Sequence, residues 1–178
     1  MKTFKILFAV AIIAGFSTAT FAQEATDEIT ASANILQFVS IDDTKDLEFG
    51  DVNIADASTH LVSNNDEGAG RFDVNTNTEL ILNFALPAAL NGTSGLAAST
   101  EANLPISFSA TDARLSNGEA DDVNVNPNEG ITIASGTNSN FIPGEFSVFI
   151  GGGLTPDANQ ASGEYQGTIT LNIEYAGV

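Results

Sequence analysis

The densest run of oxygen donors is Asp121-Asp122-Val123-Asn124-Val125-Asn126-Pro127-Asn128-Glu129-Gly130. Asp122, Asn124, Asn126 and Asn128 offer carboxylate or amide oxygens at alternate positions, the type of ligand a hard cation such as calcium takes. They are the candidate metal ligands of this chain. The helix-loop-helix calcium template does not fit, however. Counted from Asp122, its sixth position is Pro127 where glycine is needed, and its twelfth is Ile133 where a glutamate belongs. The competing expectation is a solvated turn in which Asn and Asp side chains cap their own backbone. Asp42, Asp43 and Asp46 form a second, sparser cluster.

His60 is the only histidine, and there is no cysteine. A cysteine nucleophile is therefore absent, and a zinc site built on imidazole and thiolate has one imidazole to draw on. A Ser-His-Asp triad would have to use His60, yet no G-x-S-x-G accompanies it. Acidic pairs for glycoside hydrolysis exist in any chain with 23 acids. Carbohydrate clefts use aromatic platforms, though, and this chain has no tryptophan and two tyrosines, Tyr165 and Tyr175. Gly151-Gly152-Gly153 lacks the Gly-Lys-Ser/Thr sequel of a phosphate loop and reads as a flexible or bulged strand exit. The chain is expected to have no catalytic residues, no cofactor and no enzymatic activity, with calcium as the one cofactor the acidic loop could take.

The first residues, MKTFKILFAVAIIAGFSTATFAQ, combine Lys2 and Lys5 with an apolar run from Ile6 to Phe16 and small residues before Ala22. That pattern predicts a signal peptide over 1–22 with cleavage before Gln23. The run is shorter than the ~20 apolar residues that cross a bilayer, so the expectation is an exported chain without a membrane span after processing. It would reside in the periplasm, on the outer surface or outside the cell. The remaining 23–178 are expected to form a single domain, large enough for a core without disulfide staples. Beyond residue 22 only Lys45, Arg71 and Arg114 oppose the 23 acids, a net charge of −20. Nucleic-acid binding is dominated by phosphate neutralisation, so such a partner is not expected.

The elements that would position these groups read as strands. Apolar residues alternate in Ile29–Ile35, Gly70–Asn75, Glu79–Leu86, Leu104–Ala110 and Ile131–Ala134. Alternation of this kind gives a strand one apolar face. Leu47–Gly50 reads as a short strand, Asp42–Asp46, Asn64–Gly68 and Ser116–Glu119 as turns, and Asn91–Asn103 as a loop. The closing stretch is the clearest. Tyr165, Gly167, Ile169, Leu171, Ile173 and Tyr175 share one face of a strand, facing Glu145–Ile150 across a loop. Tyr165, Ile169, Leu171, Ile173 and Tyr175 are the expected strand-pairing and core residues. The sum is an all-β, Ig-like antiparallel β-sandwich of about 8–9 strands, preceded by the signal peptide.

Gly144-Glu145-Phe146-Ser147-Val148, Gly152-Gly153-Leu154, Gln160, Gly163-Glu164-Tyr165-Gln166-Gly167-Thr168 and the final Tyr175 resemble the bacterial domain of unknown function family 4402. Ile29-Thr30-Ala31 and Leu47-Glu48-Phe49-Gly50-Asp51 are similar to that family's opening. The resemblance implies an exported Ig-like β-sandwich from a Gram-negative bacterium, with no family catalytic residues. The closing pattern is also similar to spore-coat-U and chaperone–usher pilin subunits. That similarity implies a surface or fimbria-like structural protein whose partner is a second copy or fimbrial neighbour joined by β-strand addition. The alternative expectation is a secreted ligand-binding module for calcium or a glycan, using the Asp122–Asn128 loop.

Overall fold

The computed structural model describes residues 32–53, 58–94, 102–118 and 122–177. The predicted signal peptide and Ile29–Ala31 lie outside them. Chain contacts separate residues 1–35 from a unit spanning Leu36–Val178.

The unit is an all-β, antiparallel sandwich. Its first sheet holds β1 (Val39–Lys45), β3 (Gly70–Thr76), β10 (Gly144–Ile150), β7 (Ala113–Ser116) and β8 (Val123–Val125), in that spatial order. A second sheet runs β12 (Glu164–Gln166), β5 (Ala89–Ser94), β6 (Asn103–Ser107), β11 (Gly152–Leu154) and β2 (His60–Val62). A third, three-stranded sheet runs β13 (Thr170–Tyr175), β4 (Leu80–Ala85) and β9 (Ile131–Ile133). A 3-10 turn, Ser139–Phe141, precedes β10.

Several of these strands are halves of longer ones that change sheet at a corner. β10 pairs with β3 and β7, and two residues later its continuation β11 pairs with β2 and β6. Gly151 makes that corner. A Cβ there would lie 2.2 Å from the Val62 carbonyl oxygen and 2.8 Å from the Asn64 nitrogen, inside any allowed contact. β4 and β5 form a second bent strand around Pro87, and β12 and β13 run beside it, separated by Gly167–Ile169. Strands that switch sheets at bends are the device by which sheets meet at a corner.

The main core lies between the first and third sheets. Val74, Leu115, Phe146 and Val148 from the first meet Leu80, Leu82, Ile131, Ile133 and Leu171 from the third, with Phe141 at the end. Alternation accounts for this: Leu80 and Leu82 are fully buried while Ile81 between them is half-exposed. Phe72 and Phe84 meet edge to face at 6.1 Å, as do Phe141 and Phe146 at 5.7 Å, the preferred geometry of aromatic pairs. A smaller cluster, Leu104, Ile106 and Leu154, lies on the second sheet. It is covered by Leu47, Phe49, Val52, Leu90, Phe108 and Tyr165.

Residues 32–38 carry no strand, so the first described strand begins at Val39 and runs into the predicted Asp42–Asp46 turn as far as Lys45. A bulge between Ile41 and Asp43 accommodates the polar run at that edge. Leu47–Gly50 is not a strand; it is an irregular segment that packs Leu47 and Phe49 on the second sheet. The predicted Asn91–Asn103 loop begins within β5, and the predicted acidic loop contains β8. Of Gly151-Gly152-Gly153, expected as a flexible or bulged strand exit, Gly152 and Gly153 belong to the buried strand β11. Tyr165–Tyr175 is two strands in two sheets, and they pair with β5 and β4 rather than with Glu145–Ile150. The described strands number thirteen, above the expected eight or nine, because corners split long strands.

Candidate functional site

The candidate calcium residues lie on and after β8. Val123 and Val125 turn toward the main core, which leaves Asp122 and Asn124 on the outer side of the strand. The Asp122 carboxylate forms an ion pair with the Arg114 guanidinium on β7. Arg114 lies over the Phe149 ring with its guanidinium carbon 4.2 Å from the centroid, and also donates to the Asn64 carbonyl at 3.3 Å. Asn124 Oδ1 accepts from the Asn64 amide at 3.4 Å. Asn126 Oδ1 accepts from the Asn128 backbone N–H at 3.1 Å, an Asx turn, and from the Asn128 side chain at 3.2 Å. Asn128 donates to the Phe108 carbonyl at 3.0 Å.

The four residues therefore act on protein groups: they clip β8 to β7, to the 63–65 turn and to the end of β6. Among the described residues, no group of three His, Cys, Asp or Glu side chains stands close enough to hold a metal ion. Asp42 and Asp46 are exposed.

His60 sits half-buried on β2, opposite Leu154. Its Nε2 is buried with no hydrogen-bond partner among the described residues, so none of them stands to that nitrogen as nucleophile or orienting carboxylate.

An open cleft of about 1280 Å³ lies among the described residues. Its floor is the second sheet's apolar face, with Leu90, Leu104, Ile106 and Leu154 among the lining side chains. One wall is the end of β1 and the irregular segment after it, from Thr44 through Leu47 and Phe49 to Asn53. The opposite wall is the stretch from Gln160 through β12 to Ile169. Both walls carry strand edges. Among the described strands, β1 pairs with β3 alone and β12 with β5 alone.

Tyr165 anchors the second wall. Its ring packs on the Leu104–Ile106–Leu154 cluster. Its hydroxyl donates to the Ala161 carbonyl at 2.6 Å and accepts from Gln160 Nε2 at 2.7 Å. Gln160 is buried and also donates to the Asn103 carbonyl at 3.2 Å. A tyrosine reaching back to its own backbone a few residues upstream is the device known as a tyrosine corner. The spacing of Gln160, Ala161 and Tyr165 was visible in the sequence, but alternation places only the ring and says nothing of the hydroxyl.

Of the other expected pairing residues, Leu171 is buried and Ile173 packs half-buried on the main core. Tyr175 pairs with Leu80 at the end of β13 and is 38% exposed. Ile169 falls between the two strands and lines the cleft.

The family model described as a domain of unknown function (DUF4402) matches residues 39–175, from the first residue of β1 to the last of β13. No curated protein matches the chain.

Proposed function

The chain belongs to the family of the domain of unknown function DUF4402, and from that premise we propose that it is an exported, non-enzymatic surface protein of a fimbria-like, structural kind. The observation that carries this reading is the cleft between β1 and β12, an apolar floor bordered by two strand edges that no other described strand pairs. An exposed edge is a template for another strand, so the working part is strand pairing and sandwich packing.

Two further features support the reading. The N-terminal basic, apolar and small-residue pattern is that of an export signal. The net charge of −20 beyond residue 22, where the three cations carry internal contacts, keeps a crowded extracellular protein soluble.

Fractionation of the source cells, with protease treatment of intact cells and mass analysis of the recovered chain, tests the proposal. The expected result is a chain beginning at Gln23, outside the inner membrane and cleaved by external protease. An intact 178-residue chain confined to the cytoplasm would contradict it.

A further inference from the structure

We propose that the folded chain withstands endoproteases that cut after lysine or arginine, because every such residue beyond residue 22 is held within one sheet and none stands in a loop. The inference is independent of the cleft and of any partner.

Beyond residue 22 the chain offers this protease class three sites, Lys45, Arg71 and Arg114. In the full chain the further sites, Lys2 and Lys5, lie within the predicted signal peptide. Residues 23–38 hold neither lysine nor arginine, and nor do the connections 46–59, 63–69, 95–102, 117–122, 134–143 and 155–163. Exposed loop tips are where proteolytic nicking concentrates. The scarcity of cations that sets the net charge of −20 thus also leaves the loops without a site for these enzymes.

The three sites share one row across the first sheet. Lys45 of β1 stands opposite Arg71 of β3, Arg71 opposite Phe149 of β10, and Phe149 opposite Arg114 of β7. Val148 and Ile150 beside Phe149 are buried, as are Ala113 and Leu115 beside Arg114, so the row lies on the sheet's outer face. β3 is paired on both sides, by β1 and β10, and so is β7, by β10 and β8. A protease takes its substrate as an extended segment whose backbone it contacts along its length. The bonds after Arg71 and Arg114 therefore become accessible when a central strand leaves the sheet, which is opening of the core and not a local event.

The side chains that a protease must draw into its specificity pocket are engaged as well. The Arg71 guanidinium pairs with Asp73 at 3.1 Å, and that of Arg114 pairs with Asp122 while lying over Phe149. The Arg114 side chain is 12% exposed. Lys45, at the end of an outer strand, is the weakest point. Its ammonium donates to the Glu67 carbonyl. Just beyond it, the Glu48 N–H donates to the Gly68 carbonyl at 2.8 Å and Leu47 packs on the second sheet's cluster. Opening the chain around Lys45 breaks all of these together. Protease treatment of intact cells consequently reads this chain's location with an enzyme of another specificity.

Trypsin, which has the Lys/Arg specificity, is added to the folded chain from Gln23 and to its variant Ala158→Lys, and the products are followed by mass spectrometry over time. Position 158 lies in an exposed turn between β11 and β12. The variant is expected to melt with the parent and to be cut after position 158. The parent is expected to lose its full-length mass at least about tenfold more slowly, because cleavage there waits for an opened state, and to be cut first after Lys45. Once melted, the parent is expected to be cut at all three sites. Cleavage of the folded parent within about tenfold of the variant's rate would overturn the inference. So would a variant as persistent as the parent, since the protection would then lie in stiff loops and not in where the cations stand. A melted parent that stays whole would place the protection in neighbouring acids and would overturn it as well.

Discussion

Replacing Gly151 by alanine attacks the corner at which one long strand passes from the first sheet to the second. The added methyl carbon would lie 2.2 Å from the Val62 carbonyl oxygen, 2.8 Å from the Asn64 nitrogen and 2.9 Å from the Ser63 carbonyl carbon. All three are backbone atoms of the turn joining β2 to β3, so no side chain can rotate away. Relief requires the turn or the corner to move, which disturbs the Gly152–Val62 pairing and the Asn64 contacts to Thr111 and Arg114. Overpacking a well-filled site costs about 1–3 kcal/mol, and a clash confined to backbone belongs at or above the upper end. For a domain of this size, about 3 kcal/mol lowers the melting temperature by roughly 6–12 °C. Thermal melts followed by circular dichroism measure it. Gly136→Ala supplies the comparison, because its φ of +84° is unfavourable for alanine while nothing lies within 4 Å of the new methyl. Its expected cost is about 1 kcal/mol, from backbone conformation alone. If Gly151→Ala melts within about two degrees of the parent, or above Gly136→Ala, the corner is not the close approach described here.

Other substitutions probe the remaining joints. Leu171→Asp places a carboxylate in the main core opposite Phe84, and is expected to abolish cooperative unfolding; a soluble, sharply melting variant would refute the β13 placement. Tyr165→Phe removes the hydroxyl that joins Ala161 and Gln160 and is expected to cost about 1–2 kcal/mol, read as a lower urea midpoint at unchanged slope. The oxygens of Asp122, Asn124 and Asn126 already serve protein partners, so millimolar calcium is expected to leave the melting temperature within a degree of that in chelator. A ligand held at a hundred times its Kd would stabilise by about 2.7 kcal/mol, so calcium binding of that strength would be plain in the melt.

The parts of this fold that were legible are those where alternation and burial coincide. Leu80, Leu82 and Phe84 on β4, Phe72 and Val74 on β3, and Leu171 and Ile173 on β13 announce their faces, because each strand has one side in the core and one in water. Strands hidden in polar sequence were missed for a physical reason. β8 has two inward valines among acids and amides, and β7 has two inward apolar residues flanking Arg114, whose stem is covered by stacking on Phe149. β11 is glycine-rich because the Phe108, Leu61 and Thr59 side chains press on Gly152 and Gly153, and glycine gives no periodic signal. Corners are equally silent. Tyr165–Tyr175 keeps its two-residue period across the break at Gly167, so the period alone cannot show that the strand changes sheet. The cleft joins β1, the 46–53 segment and β12, and no local pattern brings those three together.

The most direct test of the account is the mass in solution of the chain from Gln23 to Val178, measured by light scattering across a hundredfold range of concentration. Assembly through the strand edges of the cleft predicts a mass that rises above the monomer with concentration, in steps of whole chains. A single monomer mass across the whole range would contradict the claim that the edges of the cleft are its working part.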